Sequence, residues 1–439
     1  MPAGKPDTAE PLNLGSLTAP DGCFRAVEGG GATSAAGFRA AGIHAGFRRD
    51  PSRLDLGLVV SDTPAACAGV FTRNVFCAAP VIVDREHLGD CGYGTARALL
   101  VNSGTANAAT GPRGLEDAHR MAALVAEGLG CPESEVMVAS TGVIGVHLPM
   151  ERFDTGVPQV IAALSDRGGA DAARAIMTTD THPKEAAVCF DGDSVGYPGC
   201  TFTVGGMAKG SGMIMPNMAT MIACITTDAP VAAPDLHRAL QATVDRTFNK
   251  VTVDSDTSTN DTCILFANGA AAPDAQPFAP DSPAMQAFCQ ALLQVCTTLA
   301  RAMAADGEGA TKLVTVRVAG AASDADADAA ARTIANSPLV KTAIFGHDAN
   351  WGRILCALGY SGAKFDPENV DLYFQSRSGR IHIYGNGVAC GYSEEEATKI
   401  LSDPEVTVLA DMHMGEEEAT AWGCDLSYDY VKINADYRS

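Results

Sequence analysis

The stretch GGMAKGSGMIMPNMATMIACITTD, residues 205–228, decides how the middle of this 439-residue chain folds. Its glycines permit backbone conformations that other residues resist, so its central part is expected to form a loop. The apolar run at residues 221–225 is continuous rather than alternating, which is typical of a strand buried on both faces. Thr220 is therefore predicted to stand at the beginning of a core strand.

Short apolar runs separated by polar breaks continue this pattern toward the N-terminus. We interpret four of them as strands, at residues 56–60, 80–83, 98–101 and 135–139. Between the strands, residues 117–127 carry apolar side chains on one face and predict a helix that ends at Gly128. Strands and helices are therefore interleaved in this half.

The second half has the same mixed character. Apolar residues spaced three and four apart predict a helix over residues 283–305. Aspartates followed by an apolar segment predict a further helix over residues 319–345. Strands are expected at residues 313–318, 370–374, 380–384 and 406–409. The chain is predicted to have a mixed α/β fold.

The composition limits the kinds of molecule that this protein is expected to bind. The 52 acidic and 31 basic residues give a net charge of -21, which repels phosphate backbones and anionic lipid surfaces. No apolar run of membrane-spanning length and no basic, apolar leader is apparent. We expect a cytoplasmic protein that binds neither nucleic acid nor membrane.

Metal-binding patterns are missing from the sequence. The fourteen cysteines are scattered without a CxxC pair, and the nine histidines include no HExxH motif. We expect buried free thiols and no metal site.

Thr220 has chemistry beyond that of a loop feeding a core strand. A threonine hydroxyl can attack the carbonyl of the preceding residue, here Ala219, and turn the amide into an ester that water cleaves. The new N-terminal amine has an ordinary pKa of about 7.7 to 8.0, so it can act as general base for its own hydroxyl. Cleavage would thus create a residue that is both nucleophile and base.

A series of motifs makes this hypothesis specific. The segment KGSGMIMPNMAT at 209–220 resembles the cleavage site of the ornithine acetyltransferase family, the self-processing enzymes of arginine biosynthesis. Further similar segments run in family order, namely FRAAGIHAG at 38–46, GVFTRN at 69–74, VNSGTANAATG at 101–111, STGVIG at 140–145, TTDTHPK at 178–184, DTSTNDT at 256–262, NSPLVKTAIFGHDANWGR at 336–353 and YDYVKINADYRS at 428–439. The resemblance covers nearly the whole chain.

The resemblance implies roles for individual residues. Thr220 corresponds to the acetylated nucleophile, and Thr141 with Gly142 to the oxyanion hole, where each donor stabilises the transition state by about 3 kcal/mol. Thr179 and Thr181 flank one of the implied substrate-binding positions and are alternatives to it. These positions are Thr178, Lys209, Thr220, Glu308, Asn434 and Ser439. An acetylornithine molecule carries a carboxylate and an ammonium group, which Lys209 and Glu308 would complement.

The implied reaction transfers an acetyl group from N2-acetyl-L-ornithine to L-glutamate without a cofactor, with acetyl-CoA as a further candidate donor. The resemblance also implies cleavage into an α fragment, residues 1–219, and a β fragment, residues 220–439, assembled as an α2β2 heterotetramer. The implied fold has interleaved sheets and helices and resembles that of self-processing aminopeptidases. The site would draw residues from both fragments.

Two other functions are compatible with Thr220. An N-terminal-nucleophile aminopeptidase would use the same self-cleavage to hydrolyse peptides, although the set of matched motifs favours acetyl transfer. A non-catalytic binding protein with the same fold would keep its chain intact. The alternatives therefore differ in whether the chain is cut and in which product is formed.

Overall fold

The computed structural model describes residues 23–215 and 221–436. These residues form a mixed α/β structure, as the sequence predicts. The strands are β1 (Phe24–Ala26), β2 (Phe38–Ile43), β3 (Leu56–Phe71), β4 (Tyr93–Thr105), β5 (Val136–Val143), β6 (Lys184–Asp191), β7 (Thr201–Lys209), β8 (Ile222–Thr227), β9 (Val251–Thr252), β10 (Thr262–Ala267), β11 (Leu313–Ala321), β12 (Asp371–Ser376), β13 (Gly379–Gly385), β14 (Val388–Ala389), β15 (Glu405–Asp411) and β16 (Glu417–Cys424). The α-helices are α1 (Ala79–Leu88), α2 (Gly111–Leu129), α3 (Met150–Ala162), α4 (Gly169–Ala175), α5 (Ala233–Arg246), α6 (Pro283–Ala305), α7 (Asp324–Asn336), α8 (Pro338–Phe345), α9 (Trp351–Gly359), α10 (Glu394–Leu401) and α11 (Tyr428–Asp436).

The described strands form two sheets. The first has the order β1-β6-β7-β8-β10-β3-β4-β5, with β2 also paired to β3. The second has the order β14-β13-β12-β15-β11-β16-β9. In the first sheet, β8 and β10 run parallel to each other between β7 and β3, and β4 runs parallel to β5. Strands from both halves of the chain are therefore hydrogen-bonded into one sheet.

Helix α6 joins the two sheets. Pro283 favours its first turn, and the Ser282 side chain accepts the Met285 N–H as an N-cap. Its apolar residues pack on β6 and β7 of the first sheet and on β11 and β16 of the second. The helix covers residues 283–305, in agreement with the sequence prediction. The residues that follow the C-terminal end of α6 therefore lie at the junction of the two sheets.

The other helices cover the remaining sheet faces. Helices α1, α2 and α3 pack around the β3–β4–β5 end of the first sheet, and α4 packs on β2. Helices α7 to α10 enclose the core of the second sheet. No described helix has the length and apolar character needed to cross a lipid bilayer.

The strand predicted at residues 80–83 is wrong, because these residues begin helix α1. Pro80 lies in the first turn, where its fixed φ suits a helix and its missing N–H costs nothing. Val81 contributes to one core cluster and Val83 to another. A helix buried on two sides produces a short apolar run that periodicity cannot distinguish from a buried strand.

Two predicted helices have different ends. Helix α2 continues past Gly128 and ends at Gly130, which has a left-handed φ of 66°. Gly128 instead allows close packing, since a Cβ there would lie 2.4 Å from Ile161 Cδ1 on α3. The helix predicted at residues 319–345 begins too early, since residues 319–321 end strand β11 and Ser323 caps the start of α7. The rest is two helices, because Pro338 disfavours helical geometry at Ser337.

The other predicted strands are confirmed, although several extend further. Their starts agree within one residue, except that β4, predicted from residue 98, already begins at Tyr93. All fourteen cysteines are free, and eight of them are buried. The expectation of buried thiols therefore holds for most of them, while Cys91 and Cys356 are exposed.

Gly42 and Gly57 provide a matched test of packing, since they are cross-strand partners in β2 and β3. A Cβ on Gly42 would lie 2.1 Å from the backbone oxygen of Asp171, whereas one on Gly57 would be 3.3 Å from its nearest neighbour, Ala172 O. We expect Gly42→Ala to lower the free energy of unfolding by about 2 kcal/mol or more, the range for overpacking. Gly57→Ala should lower the free energy of unfolding by much less. Urea denaturation measures both, and equal losses would contradict this account of the β2–α4 contact.

Candidate active site

The residues predicted for the oxyanion hole lie at the end of strand β5, beside the end of β7. Lys209 is buried, and its Nζ donates to Thr141 Oγ1 at 3.4 Å. Lys209 is also the register partner of Ile222, the first residue of β8. Thr141 and Lys209 are therefore in contact although four strands lie between β5 and β7 in the sheet order, and Lys209 lies next to the point where β8 begins.

Gly142 lies in a conformation that requires glycine. Its φ is 129°, and a Cβ there would lie 2.3 Å from the carbonyl carbon of Gly104 on the neighbouring strand β4. Both the positive φ and the close approach exclude a larger residue. Its role as an oxyanion donor stays a prediction.

Asp180 organises the loop that contains the predicted substrate residue Thr178. Its Oδ1 accepts Lys184 Nζ at 2.7 Å and the Gly210 N–H at 2.8 Å. Its Oδ2 accepts the Thr178 N–H at 2.9 Å. Asp180 thus joins the 178–184 loop to the residue that follows Lys209.

A second carboxylate, Asp306, completes the environment of Lys184. The Lys184 ammonium donates to Asp306 Oδ2 at 2.6 Å, and both side chains are buried. Asp306 also accepts the backbone N–H and the hydroxyl of Thr181. The Thr181 hydroxyl is therefore part of this network, and the assignment of Thr178, Thr179 or Thr181 as a substrate contact stays a prediction.

Opposite charges shift the acid–base properties of this cluster. Burial alone would raise the pKa of Asp180, but the neighbouring charges of Lys209 and Lys184 and the hydrogen bond from Lys184 hold it well below its usual range. Burial lowers the pKa of Lys209, and the charge of Asp180 opposes this effect. Asp180 is therefore a fixed anion between two buried lysines.

Glu308 and Asn434 form a second polar pair. Asn434 Nδ2 donates to Glu308 Oε2 at 2.8 Å, which connects helix α11 to the turn after α6. A Cβ on Gly212 would lie 2.3 Å from the Glu308 carboxylate, so glycine leaves room for that side chain. The Glu308 N–H also donates to Ser211 O at 2.8 Å.

Residues 209–212 connect the two parts of the site. Lys209 is its first residue, and the Gly210 N–H donates to Asp180. Ser211 Oγ donates to the carbonyl oxygen of Asp306 at 2.6 Å, and Gly212 leaves space for the Glu308 side chain. Four of the predicted site side chains are thereby linked in two direct contacts, Thr141 with Lys209 and Glu308 with Asn434. Of the other predictions, Gly142 follows Thr141 and Thr178 lies on the loop bonded to Asp180, whereas Ala219, Thr220 and Ser439 lie outside the described residues.

Three acidic or basic residues of this region were missed by the sequence reasoning. Asp180 and Lys184 lie inside the TTDTHPK motif, and that motif could have identified them. Asp306 lies in no such motif and is marked in the sequence only by its position after a predicted helix. Asp261 is a fourth omission, and it directly precedes β10, whose Thr262 pairs with Ile222. Burial raises its pKa well above the usual range, and neither of its carboxylate oxygens has a hydrogen-bond partner of ordinary geometry among the described residues.

An open groove of about 610 Å³ lies beside this network. It is lined by Thr181, His182, Asp306, residues near the end of α6 and the side of α11. Its described lining does not include Thr141, Lys209 or Glu308, so the contacts above define the site better than the groove does. The expectation that no cofactor is used stays a prediction.

Comparisons with known proteins agree with these motifs. The model of the ArgJ family matches residues 39–439. The chain is 52% identical to the arginine biosynthesis bifunctional protein ArgJ of Symbiobacterium thermophilum over 93% of this chain and 99% of that one. It is 50% identical to the protein of the same name from Geobacter sulfurreducens, covering 92% and 99%. A crystal structure of ornithine acetyltransferase complexed with ornithine, from Mycobacterium tuberculosis, is 44% identical over 44% of this chain and 98% of that one, with a TM-score of 0.40.

The buried pair of Lys184 with Asp180 can be compared with the exposed pair of Arg39 with Asp62, since both have an N···O distance of 2.7 Å. Asp180→Asn removes one of the two carboxylates paired with the buried Lys184 and the negative charge beside the buried Lys209, and should lower the free energy of unfolding by about 3–5 kcal/mol. Asp62→Asn should cost less than about 1 kcal/mol.

Urea denaturation of both variants measures this difference. Because the folded pKa of Asp180 is depressed, its stabilisation is complete above the ordinary aspartate pKa of about 3.9 and is lost as the pH falls further. The gap between wild type and Asp180→Asn should therefore narrow only below about pH 4. Equal costs of the two substitutions at neutral pH would contradict the structural role of Asp180.

Proposed function

This chain belongs to the ArgJ family, and we propose that it transfers the acetyl group of N2-acetyl-L-ornithine to L-glutamate through an acetylated Thr220. It is an acyltransferase of arginine biosynthesis. The observation that carries the proposal is the contact between the buried Lys209 and the Thr141 hydroxyl, beside the start of β8. We place its activity in the cytoplasm.

The nucleophile is created by cleavage of the Ala219–Thr220 bond. The Thr220 hydroxyl adds to the Ala219 carbonyl, the amide C–N bond breaks, and water hydrolyses the resulting ester. The products are a carboxylate at Ala219 and a free α-amine at Thr220. This proposal is supported by the position of residue 220 in the chain, two residues before the register partner of Lys209.

The transfer then proceeds in two balanced steps. The Thr220 hydroxyl attacks the acetyl carbonyl of acetylornithine while its α-amine accepts the hydroxyl proton, and that proton leaves with the ornithine nitrogen when the C–N bond breaks. In the second step the glutamate amine attacks the acetyl ester, and the Thr220 oxygen recovers a proton as the ester bond breaks. Thr141 and Gly142 stabilise the negative oxygen formed in each step.

Lys209 contributes a fixed positive charge to this region. Its Nζ is within hydrogen-bonding distance of the Thr141 hydroxyl, so it orients that hydroxyl as a donor toward the reacting carbonyl. Asp180 keeps the lysine paired in a buried position. A positive charge that is desolvated before the reaction begins stabilises a developing oxyanion more than one in water.

The pair of Glu308 and Asn434 suits the charged side chain of the donor. The Glu308 carboxylate complements the δ-ammonium group of ornithine, and Asn434 orients that carboxylate through its 2.8 Å hydrogen bond. Thr178 lies on the loop fixed by Asp180, with its N–H already engaged. We assign Ser439 to substrate binding from the family motif alone.

Both fragments contribute to this site. Thr141, Gly142, Thr178 and Lys209 precede the proposed cut, whereas Glu308 and Asn434 follow it. The hydrogen bonds of β8 to β7 and of β10 to β3 hold the two fragments in one sheet. We propose association of the fragments as an α2β2 assembly and, from the bifunctional relatives, acetyl-CoA as a second acetyl donor.

Thr220→Ala tests the nucleophile directly. We expect wild type to give two bands on a denaturing gel and the variant to give one uncut chain without transferase activity. With acetylornithine and no glutamate, mass spectrometry should find one acetyl group on the peptide that begins at Thr220. Thr298→Ala, a substitution of an exposed threonine on α6, is the matched control and should behave as wild type.

Other outcomes would reject the assignment. Transferase activity in Thr220→Ala would exclude Thr220 as the nucleophile. Release of amino acids from peptides faster than transfer to glutamate would identify an aminopeptidase instead. An uncut, inactive wild-type chain would support a binding protein.

Glu308→Gln tests the proposed ammonium contact. Loss of a charged hydrogen-bond partner costs about 1.5–3 kcal/mol, so the KM for acetylornithine should rise about tenfold or more while the chain is still cut. Glu405→Gln removes an exposed carboxylate paired with Arg301 and serves as the control. Steady-state kinetics measure both, and an unchanged KM in Glu308→Gln would refute the contact.

A further inference from the structure

Three side chains on the outside of the first sheet are arranged as ligands of a metal ion. His87, His119 and Glu133 each offer one ligand atom, and these atoms all lie within 4.8 Å of one another. We propose that these residues bind a divalent transition-metal ion, with Zn²⁺ the best match. Two imidazole nitrogens and one carboxylate form a ligand set that suits zinc, leaving a fourth position for water.

His87 has its ring fixed in a suitable orientation. Its Nδ1 lies 2.9 Å from the carbonyl oxygen of Val136 and donates to it, which leaves the Nε2 lone pair for a metal. His87 lies in the last turn of α1.

His119 stands between two carboxylates. Its Nδ1 is 3.1 Å from Glu133 Oε1, and its Nε2 is 3.2 Å from Glu86 Oε2. With Nδ1 and Glu133 on the metal, Nε2–H donates to Glu86. This is the carboxylate–histidine–metal arrangement that orients ligands and increases their basicity.

The ligands come from three elements that already pack together. His87 is on α1, His119 is in the middle of α2, and Glu133 begins the single turn of 3-10 helix before β5. The side chains of His119 and Glu133 are 39% and 42% exposed, so an ion can enter from solvent. His87 and His119 are 32 residues apart in the chain, so their spacing in the sequence does not reveal the site.

The proposed metal site is separate from the proposed site of acetyl transfer. It lies at the Val136 end of β5, whereas Thr141 is five residues along the same strand, about 16 Å away at 3.3 Å per residue. An ion there would connect α1, α2 and the turn before β5. We therefore assign it a stabilising role, independent of acetyl transfer.

The arrangement differs from a simple ion-pair cluster in which a protonated His119 bridges Glu86 and Glu133. An ion-pair cluster needs no involvement of His87 and gains nothing from zinc. A metal site needs both histidines. The two interpretations therefore differ in their response to substitution of His87.

The test uses the full-length protein, freed of metal with EDTA and desalted. We expect it to bind one equivalent of Zn²⁺ in competition with a chromogenic chelator and to melt at a higher temperature with Zn²⁺ than without. His87→Gln and His119→Gln should each weaken binding at least tenfold and abolish the zinc-dependent shift. His147→Gln, a substitution of an exposed histidine elsewhere, is the control and should bind as wild type.

Free thiols require a second control, because Cys91 is exposed and follows α1. Cys91→Ser should retain zinc binding, and Co²⁺ substituted for Zn²⁺ should give a visible spectrum without a sulfur-to-metal charge-transfer band. Binding that is lost in Cys91→Ser, or equal in His87→Gln and wild type, would overturn the proposal. Absence of any zinc-dependent shift in wild type would also overturn it.

Discussion

The burial of Lys184 between Asp180 and Asp306 is the constraint on which the site depends. An ammonium group removed from water is stable only when its charge is paired, and here two carboxylates lie within 2.7 Å. The two carboxylates belong to different loops. The Asp180 carboxylate and the backbone carbonyl of Asp306 also accept hydrogen bonds from the segment that follows β7. Pairing one lysine therefore fixes the relative positions of three loops that have no regular structure of their own.

The buried network holds two cations, balanced by Asp180 and Asp306, in a chain whose overall charge is negative. The chain as a whole carries a net charge of -21, yet Lys184 and Lys209 are held together in its interior. A substrate with a carboxylate is repelled by the general field and attracted by local cations. The two effects act at different ranges, since salt screens the exterior field over about 8 Å while a desolvated lysine acts on direct contact.

Sequence reasoning succeeded where one local signal dominated. Helix α6 has a capping serine, a proline in its first turn and an uninterrupted apolar face, and its bounds were predicted correctly. Residues 80–83 failed because burial on two sides removes the helical period. Thr141 and Lys209 were known as separate motif positions, but their contact joins strands that lie far apart in the sheet order, which the sequence does not reveal. Asp306 became important only through the side chain of Lys184.

The placement of β8 and β10 between β7 and β3 has a consequence for the proposed cleavage before Thr220. Two finished fragments could not dock into this sheet, because the inner strands of one must be inserted between strands of the other. Folding therefore has to precede cleavage. An intact chain refolds as a unimolecular process, but a cut enzyme that unfolds must reunite two polypeptides at low concentration. A chain cut at the proposed bond would consequently persist through the slowness of its unfolding rather than through reversible equilibrium.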